Sequence, residues 1–156
     1  MPVLPRSAIL KTPGGSQLRA QGGSLLRARF QGESDVIEKV STDTYVSNLK
    51  EIRSRLASEW GFEPPWLLAK STMHPTVYND PTHEGMIRTA IDRLWTVPGF
   101  RPGPDTDILG GENRGGPQSR RHFSAIGQQR AGVLWFATVW PEVYREARTS
   151  RRLEPR

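Results

Sequence analysis

Two amphipathic helical patterns, separated by a short uninterrupted apolar run, constrain the fold of this chain more than any other feature. The first pattern places apolar side chains at steps of three and four residues, at Tyr45, Leu49, Ile52, Leu56 and Trp60. This spacing predicts a helix with one apolar face, which Ser41 or Thr42 can cap and Gly61 can end. The apolar run, Trp66 to Lys70, follows two prolines and is typical of a buried strand.

The second helical pattern follows the predicted strand, and a third helix is predicted near the end of the chain. Its apolar positions are Met86, Ile87, Ala90, Ile91, Leu94 and Trp95. Pro98 and Gly99 end this pattern, and residues 100–121, rich in glycine and proline, predict a long loop. A last helix is expected from Ala125 to about Arg148, kinked or broken at Pro141.

A weak strand signal, the alternation in "SLLRARF", precedes these elements. The order strand, helix, strand, helix, long loop, helix predicts an α/β arrangement with a parallel sheet. The chain has too few strands for a complete doubly wound sheet.

Composition narrows the class of protein. The 156 residues are enough for one domain, 35% are hydrophobic, and the five tryptophans indicate a real core. The chain has no cysteine, which excludes disulfides and thiolate chemistry. We find no apolar run that could span a membrane and no signal-peptide pattern in "MPVLPRSAILK", so we expect no membrane partner and leave the compartment open.

The positive charge is concentrated at the beginning of the chain. The net charge is +6, and the five basic residues before Gln31 are accompanied by no acidic residue. Such an arm can bind nucleic acid, but a solvated, unfolded tail over residues 1 to about 24 is the stronger expectation, because no aromatic residue is interleaved with the charges. Residues 150–156 form a second polar, basic tail.

Three segments with reactive side chains are expected at one edge of the sheet. Ligands of parallel α/β sheets bind at the carboxyl ends of the strands. Gln31 to Asp35, Lys70 to Pro75 and the loop that ends at His122 would all arrive there. His122 has no carboxylate shortly before it, because Ser119 stands three residues earlier. His122 is therefore either an ordinary loop histidine or a catalytic base whose orienting acid comes from another part of the chain.

Several motifs, taken in order, resemble the SGNH (GDSL-type) hydrolases, in the branch of sialate O-acetylesterases and carbohydrate esterase family 6. They are "QGESD", "STDTYVSNLKEIRSRL", "PPWLLAKSTMHP", "GPDTD", and "HFSAIG" followed by a helix with "LW". The resemblance runs from about Gln31 to about Glu146. It implies a partial, incomplete SGNH (flavodoxin-like) three-layer fold. Residues 30–149 would be the C-terminal portion of that domain, preceded by an unrelated, disordered basic segment over residues 1–29.

The resemblance also implies roles for individual residues. Gln31 corresponds to the side chain that donates to the oxyanion, and His122 to the base that takes the serine proton. The family often has an aspartate where Ser119 stands, whereas in the carbohydrate esterase branch the glutamate of the QGE motif can orient the histidine, which assigns that role to Glu33. The implied substrate is an acetylated carbohydrate, with no cofactor. We further expect His74 and Tyr78 to line the mouth of the pocket.

The nucleophile of that family is not visible in the sequence. No Gly-Asp-Ser or Gly-x-Ser-Asn block precedes Gln31; Ser16 and Ser24 follow glycine pairs, but no apolar strand leads into either. The main hypothesis is therefore a fragment of a serine-type O-acetylesterase that lacks its nucleophile, and whether the chain alone is an enzyme stays open. A non-catalytic carbohydrate-binding remnant and a basic nucleic-acid-binding protein are the alternatives.

For the remaining polar residues we predict structural roles rather than roles in a reaction or in metal binding. The spacing of His74, Asp80 and His83 fits no compact metal site, so we expect no metal. The aspartates of "GPDTD" are expected to form a turn rather than a cation site. The arginines of the long loop, Arg114, Arg120 and Arg121, are expected to be solvated. Ser119 or Ser124 can cap the last helix.

Overall fold

The computed structural model describes residues 27–29, 32–73, 79–116, 120 and 122–152. The strands are β1 (Arg27–Arg29), β2 (Trp66–Lys70) and β3 (Phe100–Asp105). The helices are α1 (Glu33–Ile37), α2 (Thr42–Trp60), α3 (Pro81–Trp95) and α4 (Ala125–Arg152), with a 3₁₀ turn at Gly111–Asn113. The combination of helices and parallel strands agrees with the predicted α/β class, whereas α1 and β3 are elements that the sequence did not predict.

The three described strands form one parallel sheet in the order β1-β2-β3. Arg27 pairs with Trp66 across β1 and β2, and Trp66 pairs with Phe100 across β2 and β3. The predicted strand Trp66–Lys70 is confirmed, and so is its place between the helices that begin near Thr42 and His83. The weak strand signal is confirmed over Arg27–Arg29.

The prediction of a long loop from residue 100 onward is wrong over its first six residues, because Phe100–Asp105 forms β3. Two prolines hid this strand, since proline cannot donate to a β ladder and is tolerated only at edges. Gly103 is required by the pairing, because a Cβ at this position would lie 2.6 Å from the carbonyl oxygen of Leu68.

The helix boundaries follow the signals in the sequence. Ser41 caps α2 by accepting a hydrogen bond from Thr44 N at 3.2 Å, and Gly61 ends the helix with a left-handed φ of 68°. Asp80 caps α3, whose first residue is Pro81. The last helix is not broken at Pro141, because it is continuous there, and it extends to Arg152, past the predicted end at Arg148.

The core lies on both faces of β2. Trp66 and Leu68 pack with the apolar faces of α2 and α3, whereas Leu67 and Ala69, equally buried, point to the opposite face. Helix α4 packs against β3 and the 3₁₀ turn. Its outer side exposes large apolar residues: Ile126, Val133, Phe136, Trp140, Val143 and Tyr144. No helix in the described part of the chain has the length and apolar character of a membrane span.

Candidate functional site

The carboxyl ends of β2 and β3 carry a cluster of polar side chains. We use the term carboxyl edge for residues 71–73, which follow β2, and residues 106–108, which follow β3. Ser71, Thr72 and Thr106 are buried there although all three are polar. Buried polar groups need hydrogen-bond partners, so this edge must be ordered by specific contacts.

A cleft of about 280 Å³ opens at the carboxyl edge. Its lining residues are Thr72, Met73, Glu84, Arg88, Asp105, Asp107 and Ile108. The volume lies near the lower end of the range of ligand sites, about 300–1,000 Å³. The position agrees with the general rule for parallel sheets, in which ligands bind where the strands end.

Arg88 of α3 joins two carboxylates in this cleft. Its Nη1 donates to Asp107 Oδ2 at 2.8 Å and to Asp105 Oδ1 at 3.1 Å. Burial alone would raise the pKa of Asp105, but the hydrogen bonds and charge of Arg88 outweigh burial and hold that pKa below its ordinary value. In turn, the hydrogen bond to Asp105 raises the pKa of Arg88. Both groups therefore stay charged at neutral pH.

Asp107 ties the two strand ends together. Its carboxylate accepts hydrogen bonds from Thr72 N at 2.9 Å, Thr72 Oγ1 at 2.7 Å and Met73 N at 3.1 Å. Asp105 thus ends β3, and the side chain of Asp107 binds the residues that follow β2. These contacts go beyond the turn that the sequence predicts for "GPDTD". Among the residues that the structure describes, no group of three or more His, Cys, Asp or Glu side chains is arranged to hold a metal ion.

Glu84 is the remaining carboxylate of the cleft. Burial raises the pKa of Glu84, and the nearby negative charge of Asp107 adds to the rise, while Arg88 opposes it. One turn earlier, Asp80 holds His83: the Nδ1 atom of His83 lies 2.7 Å from Asp80 Oδ2, and His83 N donates to Asp80 Oδ1. The pair of Asp80 and His83 therefore belongs to the helix cap.

Glu33 reaches the carboxyl edge from α1. Its Oε1 accepts a hydrogen bond from Ser71 Oγ at 2.9 Å. The close approach depends on Gly32, because a Cβ there would lie 2.7 Å from Ser71 O and 3.3 Å from a methyl group of Ile87. The glycine of "QGESD" is therefore explained by backbone contact between the start of α1 and the end of β2.

His122 lies in a short segment that is fastened to the 3₁₀ turn. Gly115 N donates to His122 O at 2.7 Å, and Arg114 and Phe123 form an isolated antiparallel bridge. The His122 residue itself is exposed. Ser124 caps α4 by accepting from Gly127 N at 3.2 Å, which confirms one of the two caps suggested for this helix.

Arg114 contradicts the expectation that the loop arginines are solvated. It is buried, with Nε donating to Leu109 O at 2.7 Å and Nη2 to Thr106 O at 3.2 Å. Its guanidinium lies 4.4 Å from the centre of the Phe123 ring. Burial lowers the pKa of Arg114, whereas the charges of Asp107 and Glu33 oppose that shift. A cation–π contact and backbone carbonyl groups thus compensate for its burial.

The structure brings part of the sequence-predicted site to one edge. Glu33 and the segment of His122 both lie near the carboxyl edge, the first through Ser71 and the second through Arg114 and Thr106. Within the described residues, the hydrogen bond of Glu33 goes to Ser71, and none joins Glu33 to His122. Gln31, His74 and Tyr78 lie outside the described residues, as do Ser119 and the basic segment 1–26.

Sequence reasoning missed two arginines, Arg88 and Arg114. Arg88 lies on the polar side of an amphipathic helix, one turn after Glu84, and nothing local distinguishes it from a solvated residue. Arg114 lies in a stretch rich in glycine. A signal for Arg88 did exist, because two aspartates at a strand end need a cation nearby to stay ionised when they are partly buried.

Comparisons with known proteins found no relative of this chain. No protein-family model matches the chain. No curated protein matches it, and neither does any solved structure.

Proposed function

We propose that this chain carries the base-bearing part of a serine-type carbohydrate O-acetylesterase site. In this proposal His122 is the base, Glu33 the acid that orients it, and Gln31 the donor to the oxyanion. The proposal rests on the resemblance of the "QGESD" and "HFSAIG" motifs. One observation supports it: buried Arg114 connects the end of β3, through Thr106 O, to Phe123, the neighbour of His122. The same edge receives Glu33.

The reaction requires a serine hydroxyl beside His122. The imidazole would take the serine proton as the oxygen attacks the acetyl carbonyl, and would return it to the departing sugar oxygen. Glu33 can contribute because, among the described residues, its hydrogen bond to Ser71 uses Oε1 only, so that Oε2 can accept the imidazole N–H. Ser71 is not a good nucleophile for this step, since it is buried and already donates its proton to a carboxylate.

The cleft fits a hydroxyl-rich ligand. Asp105, Asp107 and Arg88 offer charged donors and acceptors beside the apolar side chains of Met73 and Ile108. Sugars present both hydroxyl groups and apolar faces, so a mixed lining of this kind suits them. The acetyl group and the sugar would occupy neighbouring parts of one edge.

The proposal is tested by supplying the missing nucleophile. We expect the chain alone to show little or no hydrolysis of p-nitrophenyl acetate or acetylated xylan. We expect activity when the chain is fused to an N-terminal half of the same family that carries Gly-x-Ser. His122→Ala should abolish that activity, by on the order of 10³-fold or more, and Glu33→Gln should weaken it strongly. Ser119→Ala is the matched control and should leave the activity nearly unchanged.

Other outcomes would contradict the assignment. Hydrolysis by the bare chain that Ser16→Ala, Ser24→Ala or Ser71→Ala stops would show that the chain has its own nucleophile. Equal damage from Ser119→Ala and Glu33→Gln would show that Glu33 is not the orienting acid.

A carbohydrate-binding protein without catalysis is the second candidate. The cleft favours it, because Arg88 is hydrogen-bonded to both of its aspartates while no hydrogen bond joins Glu33 to His122 within the described residues. Titration calorimetry with acetylated xylo-oligosaccharides distinguishes the two candidates. Binding that Arg88→Met removes, together with an inactive fusion, would establish the second candidate and refute the first.

A further inference from the structure

The segment that carries His122 is held by an unusual contact. Phe123 pairs with Arg114 in two ways at once: their backbones form an antiparallel bridge, and the guanidinium of Arg114 lies over the Phe123 ring at 4.4 Å. The bridge consists of two backbone hydrogen bonds between the flanking residues, from Gly115 N to His122 O at 2.7 Å and from Ser124 N to Asn113 O at 2.9 Å. His122 is therefore fixed through its neighbours.

Arg114 extends this anchoring to the sheet. The side chain is 6% exposed, and its guanidinium donates to Leu109 O and Thr106 O. Thr106 is the first residue after β3, and it is tied in turn to β2 because both Thr106 N and Thr106 Oγ1 donate to Lys70 O, at 2.9 and 2.8 Å. One side chain thus connects the loop of His122 to the ends of two strands.

Arginine is well suited to this position. A flat guanidinium has five donors in a fixed plane, so it can bond carbonyl oxygens at its edge while its face rests on an aromatic ring. Lysine offers one rotating ammonium group and cannot form both contacts with the same geometry. Burying such a charge is unfavourable unless the contacts are retained.

We propose that Arg114 is the positioning residue of His122: by clamping Phe123 to the carbonyl groups of Thr106 and Leu109, it holds the imidazole-bearing segment at the carboxyl edge of the sheet. The inference rests on the proposed function only where His122 is called a base. The anchoring itself is a property of the chain that can be measured without any ester hydrolysis.

Nuclear magnetic resonance relaxation of the full-length ¹⁵N-labelled chain tests the anchoring. In the wild type we expect an amide order parameter of about 0.85 at His122, the value of a rigid backbone. Arg114→Met and Phe123→Leu should each lower it below about 0.6, the range of flexible segments. Phe123→Tyr keeps the aromatic ring beside Arg114, so it should retain the order parameter that His122 has in the wild type. The imidazole nitrogen resonances of His122 should shift in the first two variants only.

Arg130→Met is the matched control. Arg130 binds the same 3₁₀ turn from α4, through Glu112 Oε1 at 2.6 Å and Asn113 Oδ1 at 2.7 Å, whereas the cation–π contact of Phe123 is made with Arg114. We expect this variant to leave the order parameter and imidazole resonances of His122 unchanged. An unchanged order parameter in Arg114→Met, or an equal loss in Arg130→Met, would overturn the proposal. If Arg114→Met does not fold, Phe123→Leu against Phe123→Tyr decides the question alone.

An inactive fusion enzyme would refute the proposed function without affecting this result. Conversely, an active fusion whose His122 stays rigid in Arg114→Met and Phe123→Leu would refute the positioning role alone. The two proposals therefore fail separately.

Discussion

Gly127 and Gly132 lie in the same helix, α4, but in opposite surroundings, and replacing each by alanine tests how closely α4 approaches the 3₁₀ turn. A Cβ on Gly127 would lie 2.7 Å from the carbonyl carbon of Asn113 and 3.0 Å from its Cα, and would collide with its oxygen. These are backbone atoms, so no side-chain rotation relieves the contact. A Cβ on Gly132 meets nothing within 4 Å.

The expected magnitudes follow from three contributions. Overpacking typically costs about 1–3 kcal/mol. Pushing Asn113 away also weakens the hydrogen bond that its oxygen accepts from Ser124 N, worth about 0.5–1.5 kcal/mol. The better helix propensity of alanine returns at most about 1 kcal/mol. We therefore expect Gly127→Ala to lower the free energy of unfolding by roughly 1–3 kcal/mol.

Thermal denaturation followed by circular dichroism measures the difference. For a domain of this size Gly127→Ala should lower the Tm by roughly 2–12 °C, whereas Gly132→Ala should leave it unchanged or raise it by up to about 4 °C. Equal Tm values for the two variants would refute the claim that backbone contact at Gly127 sets the distance between α4 and the turn. A fall in the Tm of Gly132→Ala as large as that of Gly127→Ala would likewise contradict the expected difference between the two positions.

Three further variants examine the carboxyl edge. Glu84→Gln should stabilise the protein at pH 7 but not at pH 3, because a raised pKa means that folding disfavours the charged carboxylate; that penalty begins as pH rises through the unfolded pKa and is complete above the folded pKa, and urea denaturation at both pH values measures it. Arg88→Met should lower the free energy of unfolding by about 1–3 kcal/mol at pH 7. Its effect should fade below about pH 3.8, since the depressed pKa of Asp105 gives stability that is lost as pH falls through the folded value; an effect of equal size at pH 2 would contradict this reasoning. Gly32→Ala should cost about 1–3 kcal/mol, because its Cβ would meet the backbone oxygen of Ser71 at 2.7 Å, and an unchanged urea midpoint would contradict the proposed close approach.

Helices α2 and α3 were predictable because their signals are local, whereas α1 was not predicted. A cap, a run of apolar side chains at steps of three and four, and a closing Gly61 together define α2 without reference to the rest of the chain. Strand β2 was predictable for a related reason, since a strand buried on both faces is continuously apolar.

Strand β3 could not be recognised in this way. Only two of its six residues are buried, and its prolines and glycine are ordinary loop residues. What makes the segment a strand is its neighbour: β2 offers a free edge, and Gly103 allows the backbone to approach it closely. Information of this kind is not local, so periodicity cannot reveal it.

The candidate site shows the same division. The sequence predicted which edge of the sheet holds the polar residues, because that follows from topology. It did not predict that Glu33 would bond Ser71, because this contact joins residues that are 38 positions apart. It did not predict the burial of Arg114 either, because the surrounding stretch is rich in glycine and has no apolar pattern that marks a buried position. The resemblance of the motifs indicated which residues could belong to a site, whereas the contacts of those residues depend on the fold.

The clamp made by Asp107 has a consequence for the proposed chemistry. Backbone N–H groups at a strand end are common donors to an oxyanion, and Thr72 N and Met73 N lie at the end of β2. Both already donate to the Asp107 carboxylate, which also accepts a hydrogen bond from Arg88 Nη1. A negatively charged intermediate placed there would have to compete with an existing anion for the same hydrogens and would be repelled by it. The donor to the oxyanion must therefore come from elsewhere, and this favours a side-chain amide such as that of Gln31 over the backbone of β2.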